Sequence, residues 1–348
     1  MNSSPAIPTD RKTTSRVVVF IFTNIVSIIC LVWVLHGANL GALRHEVEKL
    51  DWPWVIFAVV TDIGVYAWQG WRWSLVLRPV LFVSPWKAMR AIYVGLFANE
   101  VLPLRAGELI RCFLLGRWEK TPLSVMLASA LIERIFDGIW LIACFWFTIR
   151  HVTHVPKLVT DGAIFLALLI LVTGIFLAIA MFWKEQTLDS LLRARWLSWV
   201  HILIKDLHLI GHSRYLYFAF LVSLPYLLMQ VLPIYGIMRA YGPLDDVSSL
   251  SIAFTAMVML RFGSIVPQAP GNLGSFQALA VASLLLFHVH RAVAKRFSLI
   301  LWAVITLPLL IVGFLALAVT GTSLAALHRE ATKKANGVHA NIVAGTGR

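Results

Sequence analysis

The sequence predicts an all-α polytopic integral membrane protein, with six to eight transmembrane helices and two helical hairpins broken by proline and glycine, arranged as an inverted repeat. Three observations carry that expectation. Hydrophobic residues make up 59% of the 348 positions and charged residues 14%, with a mean hydropathy of +0.80, which is more apolar surface than one soluble core could hide. The 30 lysines and arginines that give a net charge of +13 sit mostly in short loops between apolar runs, as the positive-inside bias places them, so nucleic acid is not an expected partner. Two long apolar stretches are each interrupted by Pro-x-x-x-Gly, from Pro103 to Gly107 and from Pro267 to Gly271.

Taken in order, residues 1–16 are polar and basic and read as a disordered cytoplasmic tail ahead of a single transmembrane domain over 17–327. The apolar run 17–35 is too long for a signal-peptide core and lacks a small-x-small cleavage site, so it reads as the first span. A loop at 38–51 leads to a second span at 52–77, which carries Asp62, Gln69 and Arg72; Asp62 and Gln69 lie seven apart and share a face expected to point into the bundle.

The segment 86–117 is apolar, but Pro103 and Gly107 divide it into pieces of roughly 16 and 11 residues, each short of the ~20 needed to cross a bilayer. Both flanks are basic, with Lys87 and Arg90 on one side and Arg117 and Lys120 on the other. Flanks on the same side of the membrane describe a segment that enters and returns, and its non-helical tip is tolerated only where protein or a water-filled cavity covers it.

The next span, 123–149, holds Glu133, Arg134 and Asp137 near its middle; Glu133 and Asp137 stack on one face and Arg134 can reach Asp137. A further span follows at 163–183. The loop 184–214 is basic and repeats apolar residues at helical spacing from Leu188 to Val200, as a surface helix at about 186–205 would. After a proline-interrupted span at 215–238, the segment 247–289 repeats the broken pattern around Pro267, Pro270, Gly271 and Gly274. A last span at 297–327 precedes a polar tail, 328–348, expected to be disordered.

With both termini cytoplasmic, the cytoplasmic segments hold 19 lysines and arginines and the outer segments 8. Six spans with two re-entrant hairpins, or eight crossings, satisfy this count equally. Paired breaks at matching points of two halves point to an inverted-repeat transporter with its site between the broken helices.

Charge inside the membrane is costly, so Arg105, Glu108, Arg111, Glu133, Arg134 and Asp137 need partners. One reading makes them mutually neutralising salt bridges that fix helix packing. The other makes a polar pocket in which arginines and half-helix N-termini receive an anionic group, a lipid phosphate above all. The histidines lie in or near loops, there is no nucleophile or phosphate cradle, and Cys30, Cys112 and Cys144 are widely spaced without CxxC, so no metal and no cofactor is expected.

Asn99-x-x-x-Pro103-x-Arg105-x-Gly107-Glu108-x-x-Arg111, then Glu133-Arg134-x-x-Asp137, then Pro267-x-x-Pro270-Gly271-x-x-Gly274, resembles the membrane domain of the lysylphosphatidylglycerol synthase/flippase family over roughly 15–325. The resemblance implies an inner-membrane protein that moves a phospholipid between leaflets. On that reading the substrate-binding residues are Asn99, Arg105, Glu108, Arg111, Glu133, Arg134 and Asp137, with Arg105 and Arg111 on the phosphate; Pro103, Gly107, Pro267, Pro270, Gly271 and Gly274 shape the breaks. Two positions depart from the family pattern Pro-Gly-Gly-Leu-Gly-x-x-Glu: Asn272 stands for a glycine and Gln277 for the acid. No synthase domain is present in the sequence, so aminoacyl transfer is not expected of it. Two further readings stay open: a membrane enzyme using Glu133 or Asp137 as base, and an accessory subunit whose surface helix docks a separate lipid-modifying synthase.

Overall fold

The computed structural model describes residues 45–102, 106–151, 213–264 and 270–321, positions 323, 324, 326, 327 and 329–332, and isolated positions 29, 32, 164 and 168. Most of the spans expected at 17–35 and 163–183, the surface helix at 186–205, nearly all of both tails, and Pro103, Arg105 and Pro267 lie outside the described residues.

Among the described residues every regular element is helical. Helix α1, Trp52–Leu77, starts with Pro53 in its first turn, where the missing N–H is not needed. At 26 residues it runs about 39 Å, enough to cross a bilayer core. A pair of short helices follows: α2, Pro85–Val101, and α3, Gly107–Trp118. Next come α4, Leu123–His151, then α5, Arg214–Met229, and α6, Val231–Ala240, which meet at a break at Gln230 between Pro225 and Pro233. A four-residue turn, α7, Gly242–Asp245, precedes a second short pair, α8, Leu250–Gly263, and α9, Ser275–Leu285, joined through a 3-10 turn at Pro270–Asn272. The last is α10, Arg291–Ala318.

By length and apolar composition alone, Arg214–Ala240 and Arg291–Ala318 are fit to span a membrane. Helices α1 and α4 are as long but carry interior charge. The four short helices, of 17, 12, 14 and 11 residues, fall below the ~20 residues a crossing requires.

Glycines set the packing around α2. A Cβ on Gly107 would lie 1.9 Å from the Gly95 carbonyl oxygen, so α3 folds back on α2 with the two backbones in contact. Gly95 in turn faces Arg111, which together with Asn99 opposite Gly107 gives the register of an antiparallel return. On its other sides α2 receives α1, where Gly70 meets Met89, and α10, where Gly313 meets Phe97 and the Tyr93 carbonyl. The second pair closes similarly, with Gly263 of α8 under Leu279 of α9.

The apolar core has two large clusters, beside a small third of Val76, Ala128, Ile132 and Ala219. One cluster gathers Leu50, α6, α8, α9 and the first half of α10; the other gathers the end of α1, α2, α3, the start of α4 and the end of α10, and takes in Leu327 and Ala331. Both of these last two are fully buried and residues 329–332 are helical, so order continues past the boundary expected at 327. The layer between the clusters is polar, with Asp62, Gln69, Arg72, Arg111, Glu133, Ser223 and Gln277 all buried. The outer surface is apolar: Ile56 and Val60 of α1 and Leu307, Ile311, Phe314 and Leu315 of α10 are exposed at helical spacing. Buried charge inside the bundle under an apolar exterior suits a lipid surround.

Candidate functional site

Three helices build a charged chain in the polar layer. Arg72 of α1, with no exposed surface, grips both acids of the Glu133/Asp137 face of α4: its Nη2 donates to Glu133 Oε1 at 3.1 Å and to Asp137 Oδ2 at 3.3 Å, and its Nη1 to Asp137 Oδ1 and, at 2.9 Å, to Ser223 Oγ. The other Glu133 oxygen accepts from Arg111 Nη1 of α3 at 2.9 Å. Arg111 also donates through Nε to Glu108 Oε2 at 2.9 Å, and Glu108 Oε1 accepts from Arg134. Aromatic faces cover the buried guanidiniums, Tyr226 at 4.4 Å from Arg72 and Trp73 at 4.7 Å from Arg111. Acids and arginines alternate from Asp137 to Arg134, three of each. The series therefore balances its own charge, which is what burial in a low-dielectric layer requires.

The chain changes character along its length. Glu133 is 1% exposed and Arg111 3%, whereas Glu108 is 40% and Arg134 48% exposed. The open end faces a cavity of about 460 Å³ whose charged lining is Asp62, Glu100, Glu108, Arg134 and Arg261. Asp62 is 6% exposed, and its Oδ2 is buried without a hydrogen-bond partner. Arg261, near the end of α8, donates to Gln230 Oε1 at the α5–α6 break and lies 6.0 Å from the Tyr226 ring; no carboxylate among the described residues is within ion-pair distance of it. An acid and an arginine thus line one cavity without pairing. A buried carboxylate oxygen without a partner, beside an arginine whose charge is met only by neutral groups, marks a place where something else supplies the partner.

The breaks in the short helices frame this cavity. Asn99 Oδ1 accepts from the Gly107 N–H at 2.8 Å, satisfying a free donor at the start of α3 while Asn99 itself lines the cavity. In the second break Gly271, Asn272 and Gly274 have φ of 75°, 52° and 87°, a left-handed run that glycine tolerates and asparagine accepts better than most side chains. Gln277 Oε1 takes the Gly274 N–H at 2.6 Å, so the amide at this position caps α9. The two breaks touch: Asn272 Nδ2 donates to Glu100 Oε1 at 3.4 Å, and Trp302 of α10 donates to the Gly271 carbonyl at 2.8 Å.

Comparison with known proteins bears on this arrangement. The family described as "Lysylphosphatidylglycerol synthase TM region" matches residues 17–313. The chain belongs to that family. Two proteins of Methanothermobacter thermautotrophicus, each named "UPF0104 membrane protein", are similar to it: one is 25% identical over 306 residues, covering 79% of this chain and 85% of the relative, and the other 21% identical over 286 residues, covering 74% and 82%. No solved structure matches. As a lysylphosphatidylglycerol synthase TM region protein, the chain is membrane-embedded and its function is tied to membrane lipid.

Within this member of the family, the residues expected at the site separate into two groups. Asn99, Glu108 and Arg134 line the cavity. Arg111 and Glu133 stand behind them, their polar atoms engaged by each other, by Arg72 and by Glu108, and Asp137 lies against Arg72. Of the break residues, Gly107, Pro270, Gly271 and Gly274 sit where the short helices stop or start. The expected reach of Arg134 to Asp137 is not used, because Arg72 arrives from α1 to take both Asp137 oxygens and leaves Arg134 to Glu108. The sequence reading passed over Arg261, Tyr226 and Gln230 and left Asp62 and Arg72 without roles. A stricter rule, that any ionisable residue inside an apolar span is a site candidate, finds Asp62, Arg72 and Arg261.

Proposed function

We propose that this protein moves a phospholipid or lipid-linked substrate between leaflets, taking its head group into the cavity between the two broken-helix pairs. The observation that carries the reading is the cavity itself: about 460 Å³ among helices with an apolar exterior, lined by Asp62 and Arg261 that do not neutralise each other. Arg261 and Arg134 serve the phosphate, since a guanidinium offers its oxygens a matching fork. Arg105, which lies outside the described residues, stays a phosphate candidate on the resemblance alone. Arg111, Glu133 and Asp137 hold the wall on which Arg134 and Glu108 stand.

The order of the described helices supports an inverted repeat: a long helix, two short ones and a long one in α1–α4, and again in α5–α10 when α5 and α6 are taken as one 27-residue helix, Arg214–Ala240, and the four-residue α7 is set aside. In a cell inner membrane with both termini cytoplasmic, the two pairs enter from opposite faces and their breaks meet near the midplane, as the contact between Asn272 and Glu100 suggests. The enzyme reading has less support. Both oxygens of Glu133 and both of Asp137 receive arginine donors, which leaves neither placed to take a substrate proton.

The test is a leaflet assay in proteoliposomes made with the host's lipid extract. A membrane-impermeant reagent labels the outer leaflet and mass spectrometry reads each species. A lipid that becomes accessible at unchanged mass supports transport. A lipid whose mass changes makes the protein an enzyme, and silence in both readouts directs attention to a separate synthase partner.

A further inference from the structure

A second cationic site lies at the end of the α1–α5 helix pair, away from the cavity. Arg78 follows the last residue of α1 and Arg214 opens α5, 136 residues later in sequence. Both guanidiniums lean on the same side chain: Arg78 lies 5.9 Å and Arg214 5.4 Å from the Tyr215 ring, and both approach its hydroxyl. Arg78 is also stacked 4.2 Å from Phe82. Neither arginine has a carboxylate within ion-pair distance among the described residues. Four other cations have one, Lys87 with Glu119, Arg117 with Glu330, Arg239 with Asp245 and Arg296 with Glu46; what sets Arg78 and Arg214 apart is that they converge on one ring. Two like charges brought to one phenol repel unless an anion sits between them.

The surroundings select the kind of anion. Phe82, stacked on Arg78, and Tyr217 and Phe218, three and four residues past Arg214 on α5, are exposed, an apolar and aromatic surface of the kind that acyl chains and the glycerol region of a lipid cover. Among the described residues no acid pairs with either arginine to receive an ammonium group, which favours a net negative head group. Arg72 lies six residues from Arg78 on α1, and its partner Ser223 lies eight from Tyr215 on α5, so the site is about 9–12 Å along the helices from the buried network. Neither arginine lines the cavity.

We propose that Arg78 and Arg214 clamp the phosphate of one anionic phospholipid at the membrane boundary, with Phe82, Tyr217 and Phe218 against its glycerol and acyl region. This site is distinct from the transport cavity and does not depend on what the cavity carries. The experiment is native mass spectrometry of the full chain in detergent, titrated with phosphatidylglycerol or phosphatidylcholine at equal concentration, with inorganic phosphate as a competing arm. Phosphatidylglycerol should be retained roughly tenfold better than phosphatidylcholine, and Arg78→Gln/Arg214→Gln should remove the preference while Arg117→Gln keeps it. Equal retention of the two lipids, unchanged preference in the double variant, or displacement of phosphatidylglycerol by millimolar phosphate alone would each overturn the proposal. Because the cavity also receives a phospholipid head group, the single variants Arg78→Gln and Arg214→Gln stand behind the double one: each should weaken the preference, and a well-folded single variant with wild-type preference would overturn the proposal.

Discussion

The two ends of the charged chain are made of the same residue types and differ in what surrounds them. At the buried end, Arg72, Glu133 and Arg111 are closed in by Trp73, Tyr226 and Ser223, and each polar group of Glu133 has an arginine. At the cavity end, Glu108 and Arg134 are half-exposed, and across the cavity Asp62 and Arg261 stay apart. A closed, balanced set fixes how helices dock, and breaking it leaves a charge stranded. An open, incompletely paired set can exchange partners with a ligand. Identity of side chain therefore says little about role until burial and partners are known.

Substitutions can separate the two ends. Glu133→Ala strands Arg72 and Arg111 in the buried layer and should cost about 3–5 kcal/mol, read as a collapse of the thermal transition in detergent. Gly107→Ala pushes a methyl into the Gly95 carbonyl and should cost about 3 kcal/mol or more by the same measurement, because neither backbone can retreat. Gln277→Ala removes the acceptor at the start of α9 and should cost about 1 kcal/mol, with the second break loosened and protection of the Gly274 amide lost in hydrogen exchange. Arg134→Gln at the open end should cost less than about 1 kcal/mol while slowing lipid movement, a separation of stability from activity that the buried residues cannot show.

Much of the fold was legible because the membrane imposes simple rules. The long helices over 52–77 and 123–149 and the ends of the short helices on either side of 103–105 and 265–269 follow from apolar length and from proline and glycine. The shared face of Glu133 and Asp137 follows from a spacing of four, and both do meet one arginine. Which arginine was not legible. Arg72 is 61 residues from Glu133 along the chain, and only the packing of α1 against α4 brings it there. Arg261 was missed for the same reason, since its neighbours Gln230 and Tyr226 come from another helix. The departure at Gln277 looked like the loss of a functional acid; its carbonyl oxygen makes the cap at Gly274, the part of an acid's work that an amide can also do. Local spacing reveals which residues share a face, and tertiary contact decides which of them are used up.

The most direct measurement is the initial rate of lipid exposure in the leaflet assay for Arg261→Ala, normalised to folded, reconstituted protein and set beside wild type. Loss of one charge-assisted contact to phosphate corresponds to a rate at least roughly tenfold lower per folded molecule, beyond the ~1–3 kcal/mol of stability that leaving Gln230 Oε1 without its donor costs. An unchanged rate in a well-folded Arg261→Ala protein would contradict the claim that the cavity arginine receives the head group.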